Sequence, residues 1–490
     1  MHPPRIAQFA HTVRRVAAVS AAACLLQACQ TYEPRPLDMP GYRDAFDSRT
    51  VSFKPIEDFI DRLHDNPAAA PLAFDASDGL SPAEGEVVAL FYNPELRITR
   101  LEAGVALATR DNAGLWEDPV FGFDGADILS PSGQPFEWGV GISLTIPVSG
   151  RLDVERARAN AAWDAKIREV IDAEWRTRAN VRRAWARWTA ATERTVLIET
   201  TIEQLLDLDR TVSHLAKMGE LNRVQRRLFS IEIASQDALL TESQLDLIET
   251  TTDLLGILGM PPSAAGLLRP TFPTTAIAAP ESRTVRLIES NTSLAVHFAD
   301  YRVAEETLRL EIQKQFPDIV IGPGYGTEFN DHRVMFGISV PLPIINANRA
   351  AIAEAEAQRE VARATAETTF AELDRRLAAA MQSLSLARHQ RTSFEARIVP
   401  LLNDQMHDLH RIAKLGEIDL FVMLETTTRQ LQVRTRLLAL KTAEVHAATA
   451  AAQLLGPDHS TPPAPVIVDT PKDPAGTPQT SPQNPPPGGT

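Results

Sequence analysis

Residues 216–222 of the sequence read Ala-Lys-Met-Gly-Glu-Leu-Asn, and residues 413–419 read Ala-Lys-Leu-Gly-Glu-Ile-Asp, at an offset of 197 positions. Gly259 and Gly456 recur at the same offset, each close behind a leucine. Landmarks that return at one fixed spacing are the signature of a duplicated structural unit. The sequence therefore predicts two copies of one unit.

The predicted organisation of the chain follows from the ends of these two copies. The first repeat covers residues 81–260 and the second covers residues 281–457. Between them, residues 261–280 are rich in proline and small residues and are predicted to be a linker. Residues 458–490 are rich in proline and are predicted to be a disordered tail.

Within each repeat, the hydrophobic period changes in the same order. A helical stretch comes first, over Ser81–Gly114 and again over Glu281–Gln315. Two strands follow, and then a long helix, Val154–Met218 in the first copy and Ala347–Leu415 in the second. The first long helix holds neither Pro nor Gly, whereas Pro400 interrupts the second and is expected to kink it. A glycine then ends each long helix, and a shorter helix is predicted to run back.

Strict alternation of apolar with small or polar residues predicts the strands, which lie over residues 137–146, 319–329 and 333–342. Period two with one apolar face, over nine to eleven residues, is typical of a membrane-spanning strand. Asp124-Gly125 and Asn330-Asp331 are predicted to supply turn residues near the hairpins. The side chains expected to face lipid are Trp138, Val140, Ile142, Leu144, Val334, Phe336, Ile338 and Val340.

The N-terminus indicates where the chain is sent. Basic residues precede an apolar stretch over residues 16–26, which would rise only about 16 Å as a helix and is too short to span a bilayer. Residues 1–28 are therefore predicted to be a signal peptide. The ending Leu-Gln-Ala-Cys resembles a bacterial lipobox, which makes Cys29 the expected lipid attachment site and residues 29–80 a lipidated extension. The alternative is an ordinary signal peptide followed by a chance cysteine.

Four lipid-facing strands cannot close a barrel, and an open sheet edge is not tolerated in lipid. Three copies of the chain would supply twelve strands, enough to enclose a lumen. The predicted fold class is therefore mainly α with a small transmembrane β-barrel contribution. A duplicated unit of long coiled-coil helices and two β-hairpins would form a homotrimer with a twelve-stranded barrel and an α-helical tunnel.

This pattern resembles the TolC-like outer membrane efflux proteins. The resemblance rests on the duplicated order of elements, the lipobox, the Asn93-Pro94-Glu95-Leu96 start, the paired Lys-x-Gly-Glu turns and the Leu-Gly endings. It implies a duct in the outer membrane of a Gram-negative bacterium that extends into the periplasm. It also implies a periplasmic membrane-fusion adaptor and an inner-membrane pump as partners, in a tripartite efflux or type I secretion system, with outer-membrane lipid around the barrel.

The resemblance also implies roles for residues around the two repeated turns. The adaptor-docking tips would be Met218, Gly219, Glu220 and Leu221 in the first copy and Leu415, Gly416, Glu417 and Ile418 in the second. Family members often carry acidic residues six and nine positions after the second glycine, and these form a pore constriction. Here the positions hold Val422 and Glu425, so only Glu425 is expected to contribute.

Composition and motifs exclude several other functions. The net charge of −14 argues against nucleic-acid binding, and two cysteines exclude a cysteine zinc site. We find no nucleophile–base pair and no phosphate-binding loop, so the sequence predicts no enzyme and no cofactor. His407 and His410 lack a third certain ligand, so no metal site is predicted, although metal contact by this pair stays open.

Two further patterns and one alternative function remain. The arginine-rich run between Arg176 and Arg187 is predicted to be a charged outer helix face. Trp185 and Trp188 are predicted to be packing residues. The alternative function is a structural or adhesive coiled-coil lipoprotein of the envelope without a pore. Such a lipoprotein would not need pairs of strands with an apolar outer face.

Overall fold

The computed structural model describes residues 32–51, 56, 58–59, 74–127, 136–219, 222–274, 277, 283–328, 331–414 and 419–457. The predicted signal peptide, Cys29 and the predicted tail lie outside the described residues. The chain divides into two compact units, Met1–Arg49 and Thr50–Thr490. The described part of the first unit contains helix α1 (Met39–Asp47), capped by the Asp38 carboxylate, which accepts a hydrogen bond from the Gly41 amide.

The helices of the second unit occur in the same order in both repeats. The first repeat contains α2 (Pro82–Tyr92), α3 (Pro94–Asp111), α4 (Arg151–Lys217) and α5 (Arg223–Leu258). The second contains α6 (Arg283–Ser290), α7 (Thr292–Gln313), α8 (Arg349–Lys414) and α9 (Leu420–Leu455). The 67 residues of α4 and the 66 of α8 reach about 100 Å each. The prediction of two long and two shorter helices is confirmed.

Four strands, β1 (Val120–Ala126), β2 (Glu137–Ile146), β3 (Ile319–Glu328) and β4 (Asp331–Ser339), form one sheet in the order β1-β2-β3-β4. Each strand is antiparallel to the next. Each repeat thus supplies one hairpin, and β2 of the first pairs with β3 of the second. The predicted fold class of mainly helical structure with two β-hairpins is confirmed for the single chain.

The turn predicted at Asp124-Gly125 is wrong. Both residues lie inside β1, where Asp124 pairs with Gly139 and Gly125 pairs with Trp138. Local turn propensity is overridden here because β1 gains a full ladder of hydrogen bonds from β2. In the second hairpin, Glu328 pairs with Asp331 at the end of the ladder, and the intervening residues lie outside the described part.

The long helices pack side by side as a layer. Helix α4 contacts α3 and α5, which follow one another along it, and also contacts α7 and α9. Helix α8 contacts α7 and α9 in turn. The lateral order is therefore α3/α5, then α4, then α7/α9, then α8. Helix α8 continues through Pro400, so this proline does not end the helix.

The first helical stretch of each repeat is broken where the sequence predicted one helix. Asn93 separates α2 from α3, and Asn291 separates α6 from α7. Each asparagine caps the second helix, with its side-chain oxygen accepting from the amide of Leu96 (2.9 Å) or of Leu294 (2.8 Å). An N-cap of this kind satisfies an amide that the first helical turn leaves without a partner.

The same two asparagines tie the start of each repeat to its end. The Asn93 amide group donates to the carbonyl of Ile257 in α5, and the Asn291 amide group donates to the carbonyl of Leu454 in α9, both at 2.8 Å. The acceptors lie just before Gly259 and Gly456. We call each arrangement of capping asparagine, helix-ending carbonyl and glycine an Asn–Gly joint.

The glycine of each joint has two reasons to be glycine. Gly259 has φ of +68° and Gly456 has φ of +72°, values that residues with a Cβ resist. A Cβ at Gly259 would also lie far inside van der Waals distance of the Tyr92 carbonyl, and one at Gly456 would meet the Ser290 carbonyl in the same way. The close approach brings the end of each repeat against its beginning.

The largest hydrophobic core lies in the first repeat. Trp185 is fully buried and Trp188 is nearly so, with the two rings edge to face at 5.9 Å. They pack among aliphatic residues of α2 and α5, which confirms their packing role. Residues 262–274, part of the predicted linker, lie against this core: the Trp185 indole donates to the Arg269 carbonyl at 3.0 Å, and the Thr189 hydroxyl donates to the Thr271 carbonyl at 3.3 Å.

The arginine-rich run of α4 does not form a uniformly solvated face. Arg182 forms an ion pair with Glu86 of α2, whose side chain is only 10% exposed. Arg183 donates to the Gln453 side chain of α9 at 3.0 Å. The prediction of a charged outer face is therefore wrong at these positions, since their partners lie 96 and 270 residues away in sequence.

The Asn–Gly joint yields a paired test. Gly259→Ala combines a left-handed backbone with a collision against the Tyr92 carbonyl, so we expect a loss of about 2–4 kcal/mol of unfolding free energy. Gly256→Ala, three residues earlier, adds a Cβ that meets no atom within 4 Å and removes a helix glycine. It should stabilise by up to about 1 kcal/mol. Thermal unfolding followed by circular dichroism compares them, and equal midpoints would contradict the joint.

Candidate functional site

The sheet presents one continuous apolar face. Cross-strand pairing places Val140, Tyr325 and Val334 in one row of this face, since paired residues point the same way. The neighbouring row contains Phe121 and Ile142. Every lipid-facing residue predicted within β2 and β4 lies on this face, and Val340 continues the alternation just after β4. Several are highly exposed in the single chain, with Phe336 at 84% and Ile338 at 74%.

The opposite face is built of glycine, small and polar residues. Gly122, Gly141 and Gly324 form one row across three strands, and Ser143 lies in the next row. Glycine removes side chains from this face and leaves it open. Met335 is a large apolar side chain on this face, and its methyl group lies near the positions where a Cβ would be at Gly139 and Gly324. The sheet therefore has one apolar face and one face of mostly glycine, small and polar residues, which we call the bare face.

Charge on the bare face is concentrated at the hairpin end of the sheet. Glu328 and Asp331 form the last pair of the β3–β4 ladder, and Glu137 pairs with the last residue of β1. Arg333 forms an ion pair with Glu328. An apolar face opposite a polar one, alternating along each strand, is the pattern of strands that cross lipid.

Both outer edges of the sheet are open. Strand β1 pairs with β2 alone and β4 pairs with β3 alone among the described residues. Each outer edge therefore presents unpaired backbone amides and carbonyls. Such an edge is a template for pairing with another strand and is very costly in an apolar environment.

Arg151, at the first turn of α4, joins the sheet to the helices. Its guanidinium contacts Asp318 just before β3 and Glu117 just before β1, both at 2.8 Å, and Glu155 one turn along α4 at 3.1 Å. The side chain is 17% exposed. Burial acts to lower the pKa of Arg151, but the hydrogen bond and charge of Asp318, with Glu155 and Glu117, outweigh it and raise the pKa. One guanidinium group thus holds the start of α4 against the segments that lead into β1 and β3, and its third contact, with Glu155, lies within α4.

At the far end of the layer, the described part of the first tip turns at Gly219. Its φ of +85° is in the left-handed region, and Met218 beside it is exposed. Asn222 then caps α5, with its side chain accepting from the Gln225 amide at 2.9 Å. Glu220, Leu221 and residues 415–418 of the second tip lie outside the described residues.

Glu425 lies on the second turn of α9 and is exposed. It forms an ion pair at 2.9 Å with Arg429, one turn further along the helix. Val422 is exposed on the same helix. The pairing was not foreseen in the sequence reading, although an acidic residue four positions before an arginine is the usual signal for it. Any negative ring built from Glu425 therefore carries a partly compensating cation.

His407 lies on α8. Among the described residues, no group of three or more His, Cys, Asp or Glu side chains is arranged to hold a metal ion. Within the same part of the chain, no helix is long and apolar enough to cross a membrane.

The folded chain is similar to solved outer membrane channels. CusC, whose crystal structures concern folding and transmembrane channel formation, has a TM-score of 0.65 at 16% identity over 80% of this chain and 98% of CusC. The outer-membrane channel OprN has a TM-score of 0.65 at 15% identity over 80% of this chain and 95% of its own. The CmeC outer membrane channel of Campylobacter jejuni has a TM-score of 0.64 at 12% identity, over 80% and 91%.

These likenesses define the class of fold: a pair of β-hairpins carried on a duplicated layer of long helices. More particularly, the chain has the fold of the TolC-like outer membrane channels, as the sequence resemblance predicted. No protein-family model and no curated protein sequence matches the chain.

Sequence reasoning missed three structural features of this site. Strand β1 was hidden by the turn-forming pair Asp124-Gly125. The capping role of Asn93 and Asn291 was signalled by their common offset and by the leucine three residues later. Arg151 carried no local signal, because Asp318 is 167 residues away.

Arg151 provides the test of this junction. Arg151→Met keeps the length of the side chain but leaves Asp318 and its neighbours without their cation, so we expect a loss of about 2–4 kcal/mol. Arg176→Met removes a more exposed arginine, 59% accessible, from its pair with Asp172 and should cost less than about 1 kcal/mol. Thermal unfolding midpoints decide, and an equal shift in both variants would contradict a special role for Arg151.

Proposed function

We propose that this chain is the outer-membrane export duct of a tripartite efflux or type I secretion system. It passively conducts substrates from a periplasmic adaptor and an inner-membrane pump to the exterior of a Gram-negative bacterium. Three copies form a twelve-stranded barrel in the outer membrane, which continues into the periplasm as a helical tunnel. No step of catalysis belongs to this role.

The open, two-faced sheet carries the proposal. An apolar face of this length suits lipid, yet the free edges of β1 and β4 cannot remain unpaired there. Pairing β1 of one copy with β4 of the next satisfies both edges by one repeated contact. Closure after three copies gives twelve strands, with the glycine-rich face around a lumen wide enough for solutes. The likeness to CusC, OprN and CmeC supports the same arrangement.

The helix layer has matching free edges. On α5, exposed apolar residues follow helical spacing at Val224, Leu228 and Ile231. On α8, at the other edge, Val361 and Leu401 are similarly exposed, at 66% and 67%. An apolar stripe at each edge of the layer supports side-by-side contact between copies. Such contact would close the helices into a tube around the threefold axis of the barrel.

The remaining parts of the proposal concern membrane attachment and partners. Acylation of Cys29 would hold the N-terminus at the outer membrane. The tips at Met218–Leu221 and Leu415–Ile418 would dock the adaptor, and Glu425 would contribute to the constriction near them. The envelope lipoprotein without a pore remains the alternative, and nothing in it would require a sheet with a bare inner face.

Conductance is the direct test, and strand variants add a structural control. Purified protein should give stepwise single-channel currents in planar bilayers, whereas no conductance in properly assembled trimers would favour the lipoprotein. Ile142 lies near the middle of β2, and pairing through Ile321 sets Ile338 level with Leu144, two residues nearer the helices. Ile142→Arg should therefore cost about 2–4 kcal/mol and reduce trimer yield, and Ile338→Arg should cost less.

Ser143→Arg is the matched control, because Ser143 adjoins Ile142 but faces the bare side. It should assemble at normal yield while altering the current. Equal yields for Ile142→Arg and Ser143→Arg in the outer-membrane fraction would refute the assignment of the two faces.

Gly219 tests the docking tip. A Cβ there meets no atom within 4 Å, so the penalty of substitution comes from the positive φ alone. Gly219→Val should distort the turn and lower crosslinking to the adaptor several-fold, while Gly219→Asn, which tolerates the left-handed region, should stay near wild type. Trimer yield and conductance should be unchanged in both. Lost export with normal adaptor crosslinking in the valine variant would refute the docking role.

A further inference from the structure

A cleft of about 530 Å³ lies between α8 and α9, away from the tips and the sheet. Arg397 on α8 and Arg436 on α9 both line it, and so does His389, about two turns before Arg397 on α8. Phe394, Ile398 and Leu440 supply an apolar wall. The size is that of a site for a small organic molecule.

The two arginines of this cleft are not neutralised within the part of the chain that the structure describes. Neither Arg397 nor Arg436 forms an ion pair there, and no carboxylate lines the cleft. Nearby arginines behave differently: Arg388 and Arg391 both pair with Glu444 across the same two helices. The described lining of this cleft therefore carries a net positive charge.

The cleft opens on the face of the helix layer opposite to residues 269–272. On α9, the Lys441 ammonium lies over the Phe272 ring, 5.7 Å from its centre. Arg436 is five positions earlier, so it projects about 140° away around the helix. On α4, Trp185 and Thr189 meet the same segment through their hydrogen bonds to Arg269 and Thr271. The segment thus covers one face of the layer, and none of its described residues lines the arginine cleft.

A second cleft of about 430 Å³ on the other side of α9 serves as an internal comparison. Arg187 and Arg194 of α4 line it, but Asp246 of α5 lines it as well. His446 also faces this cleft; burial lowers its pKa, aided by the charges of Arg187 and Arg183, despite the hydrogen bond to the Arg183 carbonyl. The imidazole is therefore mainly neutral at pH 7, and the second cleft is the less positive of the two.

We infer that the α8–α9 cleft binds organic anions that carry an apolar body, with Arg397 and Arg436 holding the carboxylate or sulfonate group. Guanidinium groups bind such oxyanions through paired, charge-assisted hydrogen bonds. The Phe394 and Ile398 side chains receive the apolar part. This inference rests on the proposed function in one respect. In a duct, an anion bound here is a transported substrate in contact with the tunnel wall, and amphipathic anions are the substrate class that the wall favours.

Equilibrium binding to the purified full-length protein tests the cleft without any transport. Naphthalene-2-sulfonate is the probe, and 2-naphthalenemethanol is its neutral analogue. We expect the sulfonate to bind more tightly than the alcohol and to weaken when ionic strength is raised, because salt screens exposed charges. Arg397→Gln with Arg436→Gln should weaken sulfonate binding about tenfold or more, the scale of a lost charged hydrogen-bond pair.

Arg434→Gln is the matched control. It removes the same charge from α9, two residues before Arg436 and on the far side of the helix, and should leave sulfonate binding unchanged. Equal sulfonate binding by the double variant and wild type, or equal binding of sulfonate and alcohol, would overturn the inference.

Conductance of the same preparation separates this inference from the proposed function. Conductance without charge-dependent sulfonate binding overturns the cleft alone. Sulfonate binding that depends on Arg397 and Arg436 in a protein without conductance supports the cleft and overturns the duct.

Discussion

The Asn–Gly joint is the contact on which the rest of the fold depends. In each repeat, an asparagine caps one helix and at the same time binds the last carbonyls of another helix more than 160 residues away. The glycine beside those carbonyls lets two backbones approach where a Cβ would collide. Each joint therefore fixes the beginning of a repeat against its end. The two repeats also match in size, since α5 and α9 have 36 residues each and α4 and α8 have 67 and 66.

Equal repeats placed side by side leave the molecule open at both edges. The hairpins meet at β2 and β3, which leaves the outer edges of β1 and β4 without a partner strand among the described residues. The helices meet at α4 with α7 and α9, which leaves α5 and α8 outermost. The sheet and the helix layer thus both lack a neighbour at their two outer edges. A backbone edge is satisfied by another strand and an apolar helix stripe by another helix. One rotation of the chain onto a second copy would supply both, and this is the contact that the proposed ring of copies requires.

The sequence predicted what its periodicity encodes. Alternation located β2, β3 and β4, the absence of Pro and Gly located α4, and the fixed offset revealed the duplication. Features set by distant partners were not predictable in this way. Strand β1 contains a local turn signal that pairing with β2 overrides, and the breaks at Asn93 and Asn291 interrupt an apolar pattern that continues across them. Arg151 and Arg182 are positioned by carboxylates far away in the chain, for which a single sequence gives no register.

The two repeats share a joint but differ in their hydrophobic cores. At the repeat offset, Trp185 and Trp188 correspond to Gln382 and Ser385, so the second copy lacks the aromatic pair around which the large core forms. The core of the second copy is accordingly a small set of leucines. In the first copy, Arg182 is neutralised inside the structure by Glu86 of α2. In the second copy, Arg397 and Arg436 form no ion pair among the described residues. Duplication thus preserved the frame through its most constrained contact, whereas the cores and the charge pairing around that frame differ between the copies.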